Sequence, residues 1–386
     1  MASINLQGDT SGSISISAPS VAGTNTLTLP ATTQTLATQN ALGVRNLIIN
    51  GDMKIAQRGT SVSGITGGGY HTVDRFYNNI TSAGTWTSSQ DTDVPTGQGF
   101  AKSHKLTCTA TASPVVLAMI QNIEGQMLQH LKKGTANAES LTLSFWVKSN
   151  KTGTYINELY DTDNTRQISK SYTINSADTW EKKIITFEGD TTGTINNDNT
   201  TGLQLYWWLG ASSTFTGGTL NTSWASDTAA NRAVGVVNLA DTIGNYINIT
   251  GVQLEVGDTA TPFEHRPYDM ELRRCLRYYY KNIGNGAGTG PYGMGHCRSN
   301  YLRGQLWLPV TMRATPTMTN TGTDVDYIVT SGTSDFTSFV TRPSLDGGGP
   351  DGLNFRVQVA SGMTNGNAAL LYLNSSNSYL EFSAEL

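Results

Sequence analysis

The feature that most constrains this chain is the alternation of apolar and polar residues in short runs, broken by Gly, Asn, Ser and Thr. In Leu141-Thr-Leu-Ser-Phe-Trp-Val147, the residues Leu141, Leu143, Phe145 and Val147 share one face, and Ser144 and Trp146 take the other. In Leu203-Gln-Leu-Tyr-Trp-Trp-Leu209, the residues Leu203, Leu205, Trp207 and Leu209 lie opposite Gln204, Tyr206 and Trp208. Successive side chains of a strand point to opposite sides of a sheet, so period 2 means a strand with one buried face. Segments 13–17, 26–29, 35–37, 180–187, 247–256, 302–308, 325–329, 353–359, 369–373 and 379–385 read the same way. Helical spacing is confined to 125–131 and 269–277.

Many strands, Gly/Asn turns and little helix predict an all-β chain in three parts. Residues 1–44 carry no Trp, Tyr or Phe and almost no charge, and form a short N-terminal β segment too small to bury a core alone. Residues 45–266 form a jelly-roll-like β-sandwich. Residues 267–386 form a second, smaller C-terminal β-sandwich, with Tyr278, Tyr279 and Tyr280 anchoring the junction. No fixed-period repeat is present, which disfavours a solenoid or propeller.

Charged residues make up 14% of the chain and the net charge is −4. Phosphate backbones are held by clustered Lys and Arg, so nucleic acid is not an expected partner. The three cysteines, Cys108, Cys275 and Cys297, stand far apart, which does not suggest a disulfide framework. The first residues lack the pattern of a signal peptide, and no apolar run reaches membrane-spanning length, so membrane insertion is not expected.

Sugar sites stack a pyranose face on an open aromatic ring and hold its hydroxyls with amides and carboxylates. Trp146, Tyr206 and Trp208 lie opposite their strands' aliphatic rows and are expected to look outward. A sugar groove, a subunit interface and a covering loop are the three readings of that face. Trp86 and Trp224, in Gly/Ser/Thr-rich surroundings, are further glycan-binding candidates. Asp161-Thr-Asp-Asn164 resembles the start of a calcium loop, but an EF-hand needs a carboxylate where Tyr172 stands. Asp161 and Asp163, or Asp52, remain candidates for an irregular structural calcium site, against the alternative of an Asx turn. No other cofactor is expected. The chain contains no His-x-x-x-His, Cys-x-x-Cys, Gly-x-Ser-x-Gly or phosphate-loop pattern, and a catalytic role is not expected.

Several segments carry a family resemblance. These are Asn46-Leu-Ile-Ile-Asn-Gly-Asp-Met-Lys-Ile-Ala-Gln-Arg-Gly59, Thr72-Val-Asp-Arg-Phe76, Leu143-Ser-Phe-Trp-Val-Lys-Ser149, Thr250-Gly-Val-Gln-Leu-Glu-Val-Gly257 with Pro262-Phe-Glu-His265, and Glu271-Leu-Arg-Arg-Cys-Leu-Arg-Tyr-Tyr-Tyr280. Together they resemble bacteriophage tail fibre proteins. The ends of the 45–266 region are also similar to carbohydrate-binding jelly-roll modules. The resemblance implies a homotrimer in the virion tail, assembled in the host cytoplasm. Residues 1–44 would attach it to a tail or baseplate protein, and the distal part would bind host surface polysaccharide. Tip loops around 284–295, 335–338 and 346–351 are the expected recognition elements. The alternatives are an architectural virion component, such as a capsid fibre or baseplate protein, and a glycan-degrading tail spike.

Overall fold

A computed structural model of the chain describes residues 3–7, 11–17, 45–283, 292–321, 323–375 and 378–386. It divides into two compact units, Met1–Gly43 and Val44–Leu386. In the first, β1 (Ser3–Gln7) and β2 (Ser13–Ser17) form an antiparallel hairpin with Ile4 opposite Ile16. The strands expected at 26–29 and 35–37 lie outside the described residues, as do 284–291 of the expected tip loop.

The second unit opens with β3 (Ser61–Ile65), β4 (Gly69–Tyr70), β5 (Tyr77–Thr81), β6 (Thr85–Asp91), β7 (Ser103–Ala110) and β8 (Val116–Glu124). There follow β9 (Leu141–Ser149), β10 (Gly153–Asp161), β11 (Arg166–Ile174), β12 (Glu181–Phe187), β13 (Thr201–Ala211), a single helical turn α1 (Ser213–Thr216), β14 (Ala225–Ser226) and β15 (Tyr246–Val256). They form a seven-stranded sheet, β14-β11-β10-β13-β8-β5-β4, and a six-stranded sheet, β12-β9-β15-β7-β6-β3. The aliphatic rows of β9 and β13 face each other and are buried, as the alternation requires. Phe145 and Trp207 meet edge-on across the two sheets at 5.9 Å, a geometry that adds about 0.5–1.5 kcal/mol to the burial itself.

The opening segment closes this sandwich. Asn46 Nδ2 donates to Val252 O at 2.9 Å, and the Leu47 amide donates to Leu254 O at 2.9 Å. Strand β15 slips register between Thr250 and Gln253, and Gly251 sits there at φ +61, where a Cβ would meet the Phe100 ring at 2.5 Å. A bulge of this kind re-aims the strand, and only glycine fits both the dihedral and the contact.

The helix expected at 125–131 is instead two 3-10 turns, Gly125–Met127 and Gln129–Leu131. A Cβ at Gly125 would meet Asn196 O at 2.3 Å, and Lys132 turns left-handed at φ 52, so tertiary packing overrides the apolar spacing. The second expected helix is present as α2 (Tyr268–Leu276).

Beyond α2 come β16 (Tyr279–Ile283), β17 (Gly293–Arg298), β18 (Tyr301–Trp307), β19 (Thr317–Thr321), β20 (Tyr327–Ser331), β21 (Ser334–Phe336), β22 (Phe339–Gly348), β23 (Gly352–Val359), β24 (Ala368–Leu373) and β25 (Tyr379–Ser383). A three-stranded sheet, β16-β25-β19, brings Leu380 and Phe382 to a core shared with the seven-stranded sheet β21-β20-β24-β17-β18-β23-β22. Phe355 fills space that Gly293 and Gly304 leave open, since a Cβ on either would come within 2.6 and 2.9 Å of its ring. Among the described residues, no helix is long and apolar enough to cross a membrane.

Candidate functional site

The five aromatic candidates do not converge. Trp86 is fully buried in the main core, with Nε1 donating to Ala83 O at 2.7 Å. It offers no face to a ligand. Tyr206 and Trp208 do lie on the outer side of the first seven-stranded sheet, as the pleat dictates, but they do not look outward. The crossover 212–237 folds over them, seating Phe215, Leu220, Ala233 and Val236 against Val116, Ala118, Ile120 and Ile156. Trp208 is 1% exposed and stacks on Tyr206 at 5.5 Å. So much apolar surface on an outer face favours a cover, at about 25 cal/mol per Å² removed from water.

A cation fills the aromatic enclosure from within. The Arg232 guanidinium lies 4.4 Å from the Tyr160 ring centroid, 5.0 Å from Tyr206 and 5.4 Å from Trp208. Its Nε and Nη2 donate to Glu158 at 2.8 and 3.1 Å, and Trp208 Nε1 donates to the same carboxylate at 2.7 Å. Burial pushes the Glu158 pKa up, against the opposing pull of Arg232. The arrangement is complete without a ligand, and of the three readings the covering loop describes these two rings.

Trp146 is half-buried between Lys182 and Thr250 on the neighbouring strands. Trp224 is half-buried at the edge of the main core, where Nε1 donates to Glu188 O at 2.7 Å and Lys133 Nζ lies 4.1 Å from its ring centroid.

The calcium candidates are also committed elsewhere. Lys133 Nζ stands 2.7 Å from Asp161 Oδ2 and 3.2 Å from Asp190 Oδ2, and Arg166 Nε donates to Asp190 at 2.9 Å. Two cations already balance two carboxylates there. Asp161 Oδ1 accepts from the amides of Asp163 and Asn164 at 3.0 and 3.1 Å, which is an Asx turn. Asp163 accepts from Asn196, and Asp52 pairs with Lys54 at 2.9 Å. Among the described residues, no group of three or more His, Cys, Asp or Glu side chains is placed to hold a metal. The donor sets at Asp52, Asp161 and Asp163 do not fit calcium.

An open aromatic stands elsewhere. Trp307, on β18, is 77% exposed. Its ring rests against bare backbone, because a Cβ on Gly352 would lie 3.7 Å from it. Cross-strand register puts three rows beside it on the same outer face. Gln305 lies between Met294 and Asn354, Arg303 between His296 and Arg356, and Tyr301 between Arg298 and Gln358. Their inward neighbours Leu302, Leu306, Leu353, Phe355 and Val357 are buried. Arg303 and Arg356 share the single carboxylate of Asp346, at 3.9 and 3.8 Å, so the face keeps a positive excess. Asp346 belongs to one of the expected tip loops, although here it lies within β22.

This surface combines an apolar ring face, amides that can both donate and accept, and guanidiniums suited to acidic groups. It was legible in part. In Tyr301-Leu-Arg-Gly-Gln-Leu-Trp307 the leucines alternate with Tyr301, Arg303, Gln305 and Trp307. The same reasoning that turned Trp208 outward turns Trp307 outward, and sequence reasoning did not single it out.

No family model matches the sequence, and neither does any curated protein. Solved structures similar to it include a domain of tailspike protein 4 from bacteriophage CBA120, at 13% identity and TM-score 0.30, covering 55% of this chain and 21% of that one. The chain thus spans about a fifth of that tailspike chain. A putative sugar binding protein from Bacteroides thetaiotaomicron is similar at 14% identity and TM-score 0.30, covering 55% and 100%. TmCBM61, solved in complex with β-1,4-galactotriose, is similar at 10% identity and TM-score 0.29, covering 55% and 99%.

Proposed function

We propose that this chain is a non-enzymatic, receptor-binding subunit of a bacteriophage tail fibre. In this reading it resides in the virion, works as a homotrimer, docks to a tail or baseplate protein through residues 1–44 and binds host surface polysaccharide. The ordered set of segments from Asn46–Gly59 to Glu271–Tyr280 supports the fibre assignment. The observation that carries glycan binding is Trp307, standing 77% exposed beside Gln305, Asn354, Arg303 and Arg356. A sugar ring laid on the indole gains apolar contact, and the amides and guanidiniums orient its hydroxyls. Three such faces on one particle multiply a weak single contact through effective concentration.

The test is binding of the labelled protein to arrayed bacterial polysaccharides, wild type beside Trp307→Ala. The wild type is expected to bind at least one polysaccharide saturably. The variant is expected to bind it about tenfold more weakly or worse. Its unfolding midpoint should not move, because the ring is outside the core. Folded wild type that binds no polysaccharide would instead favour an architectural virion component. Release of reducing ends from a bound polysaccharide would make the protein a spike.

A further inference from the structure

Helix α2 shows two faces of different chemistry. Glu271 and Cys275, with Tyr278 just beyond the helix, are buried toward the protein. Met270, Arg273, Arg274 and Arg277 follow the i, i+3, i+4, i+7 spacing that places residues on one helix face. With Val310 and Thr311 they line a shallow, open cavity of about 620 Å³.

The three guanidiniums are not equivalent. Arg277 is held by Glu124 through two bonds of 2.8 Å. Among the described residues, the side chains of Arg273 and Arg274 make no hydrogen bond or ion pair, and Arg274 Nη1 is buried without a partner. The carboxylates around them are engaged elsewhere. Glu271 takes the Asn50 amide and Arg266, Glu264 takes Asn46 and Arg266, and Asp351 takes the Thr311 hydroxyl. Basic residues in a last turn also favour the helix dipole. That accounts for an exposed Arg273, but not for Arg274, whose half-buried charge has no carboxylate in contact, a cost in free energy that a bound anion offsets.

We propose that this cavity binds the carboxylate of an acidic sugar, of the hexuronate class, through Arg273 and Arg274. The planar guanidinium fork matches a carboxylate in a bidentate pair, and Met270 and Val310 supply an apolar wall for the ring. Burial, and after it the like charge of Arg266, push the Arg274 pKa down, and a bound anion opposes both. The site shares no residue with the face around Trp307.

The experiment is calorimetric titration of the full chain with glucuronate, glucose and inorganic phosphate at low salt. Glucuronate is expected to bind in the low millimolar range or tighter, and more weakly as salt is added. Glucose should give no binding at the same concentrations. Arg274→Gln should weaken glucuronate about tenfold or more. Arg273→Gln, at an exposed position, should weaken it as well and serves as the test if the first variant fails to fold. Trp307→Ala should bind glucuronate as the wild type does. Equal binding of glucose and glucuronate, or wild-type affinity in both arginine variants, would overturn the proposal. So would phosphate binding without glucuronate, or loss of glucuronate binding in Trp307→Ala.

Discussion

Replacing Arg75 with methionine is expected to cost the 44–386 unit about 3–5 kcal/mol of stability. The Arg75 side chain is fully buried, and its backbone is left-handed at φ 72. The guanidinium lies 3.5 Å from the centroid of the Tyr278 ring, Nη2 donates to Asn122 O at 2.8 Å, and Nη1 pairs with Glu385. Burial alone would lower the Arg75 pKa, but Glu385 raises it above its usual value and keeps the charge in place. Without Arg75, the nearly buried Glu385 retains, among the described residues, the one cation Arg58, at 3.2 Å. Asn122 O also loses its donor. The contacts join β8 and the loop before β5 to the residues following β25, so the loss should reach both sandwiches. Urea unfolding reads the cost. A double variant Arg75→Met/Glu385→Gln should recover part of it, because the stranded carboxylate is then gone. A single variant within about 1 kcal/mol of wild type would show that the pair contributes little.

A second large effect is expected in acid, where two buried groups act with opposite signs. Burial, with His71 adding to it, pushes the His104 pKa down to about 3, and the ring donates to or accepts from Ser88 Oγ at 3.1 Å. Below the usual value of 6.5, the unfolded chain therefore binds a proton that the fold refuses. Stability from this group is complete above pH 6.5 and is lost as pH falls toward 3, at about 1.4 kcal/mol per unit, or roughly 4–5 kcal/mol in all.

Asp74 works the other way. Burial raises its pKa to about 6, despite the charge of Arg58 and the hydrogen bonds of Gln57. The fold keeps a proton that the unfolded chain releases near 3.8, so stability rises as pH falls from about 6 toward 4, by roughly 3 kcal/mol. From these two groups alone, stability should be nearly level between about pH 6 and pH 4 and fall below that. His104→Gln keeps a polar partner for Ser88 and removes the titration. Its urea midpoint should rise as pH drops through the same window, and the loss below pH 4 attributable to His104 should vanish. Parallel profiles for variant and wild type would refute this assignment.

How far the fold and the site could be read in advance differs from residue to residue. The runs 141–147 and 203–209 became β9 and β13 with the expected faces inward, because alternation is a property of the pleat and needs no knowledge of the partner strand. The spacing at 269–277 likewise became α2 within one residue at each end. Outcomes that depended on a distant segment were not legible. Asp161 resembles the start of a metal loop in isolation, yet Lys133, 28 residues upstream, and Asp190 beside it complete an internal ion cluster.

The sequence by itself determined that this is an all-β chain, which residues of each strand share a face, and that Trp208 and Trp307 both stand opposite aliphatic rows. Only the tertiary structure decided that the crossover 212–237 closes over Trp208 while no described segment closes over Trp307. It also decided that Arg75 meets Glu385 across 310 positions, and that Arg274 faces a cavity without a carboxylate of its own. The physical reason is range. Strand pleat and helix turn are fixed by neighbours a few residues apart, whereas the cover of a face and the partner of a buried charge are set by which distant segments pack together.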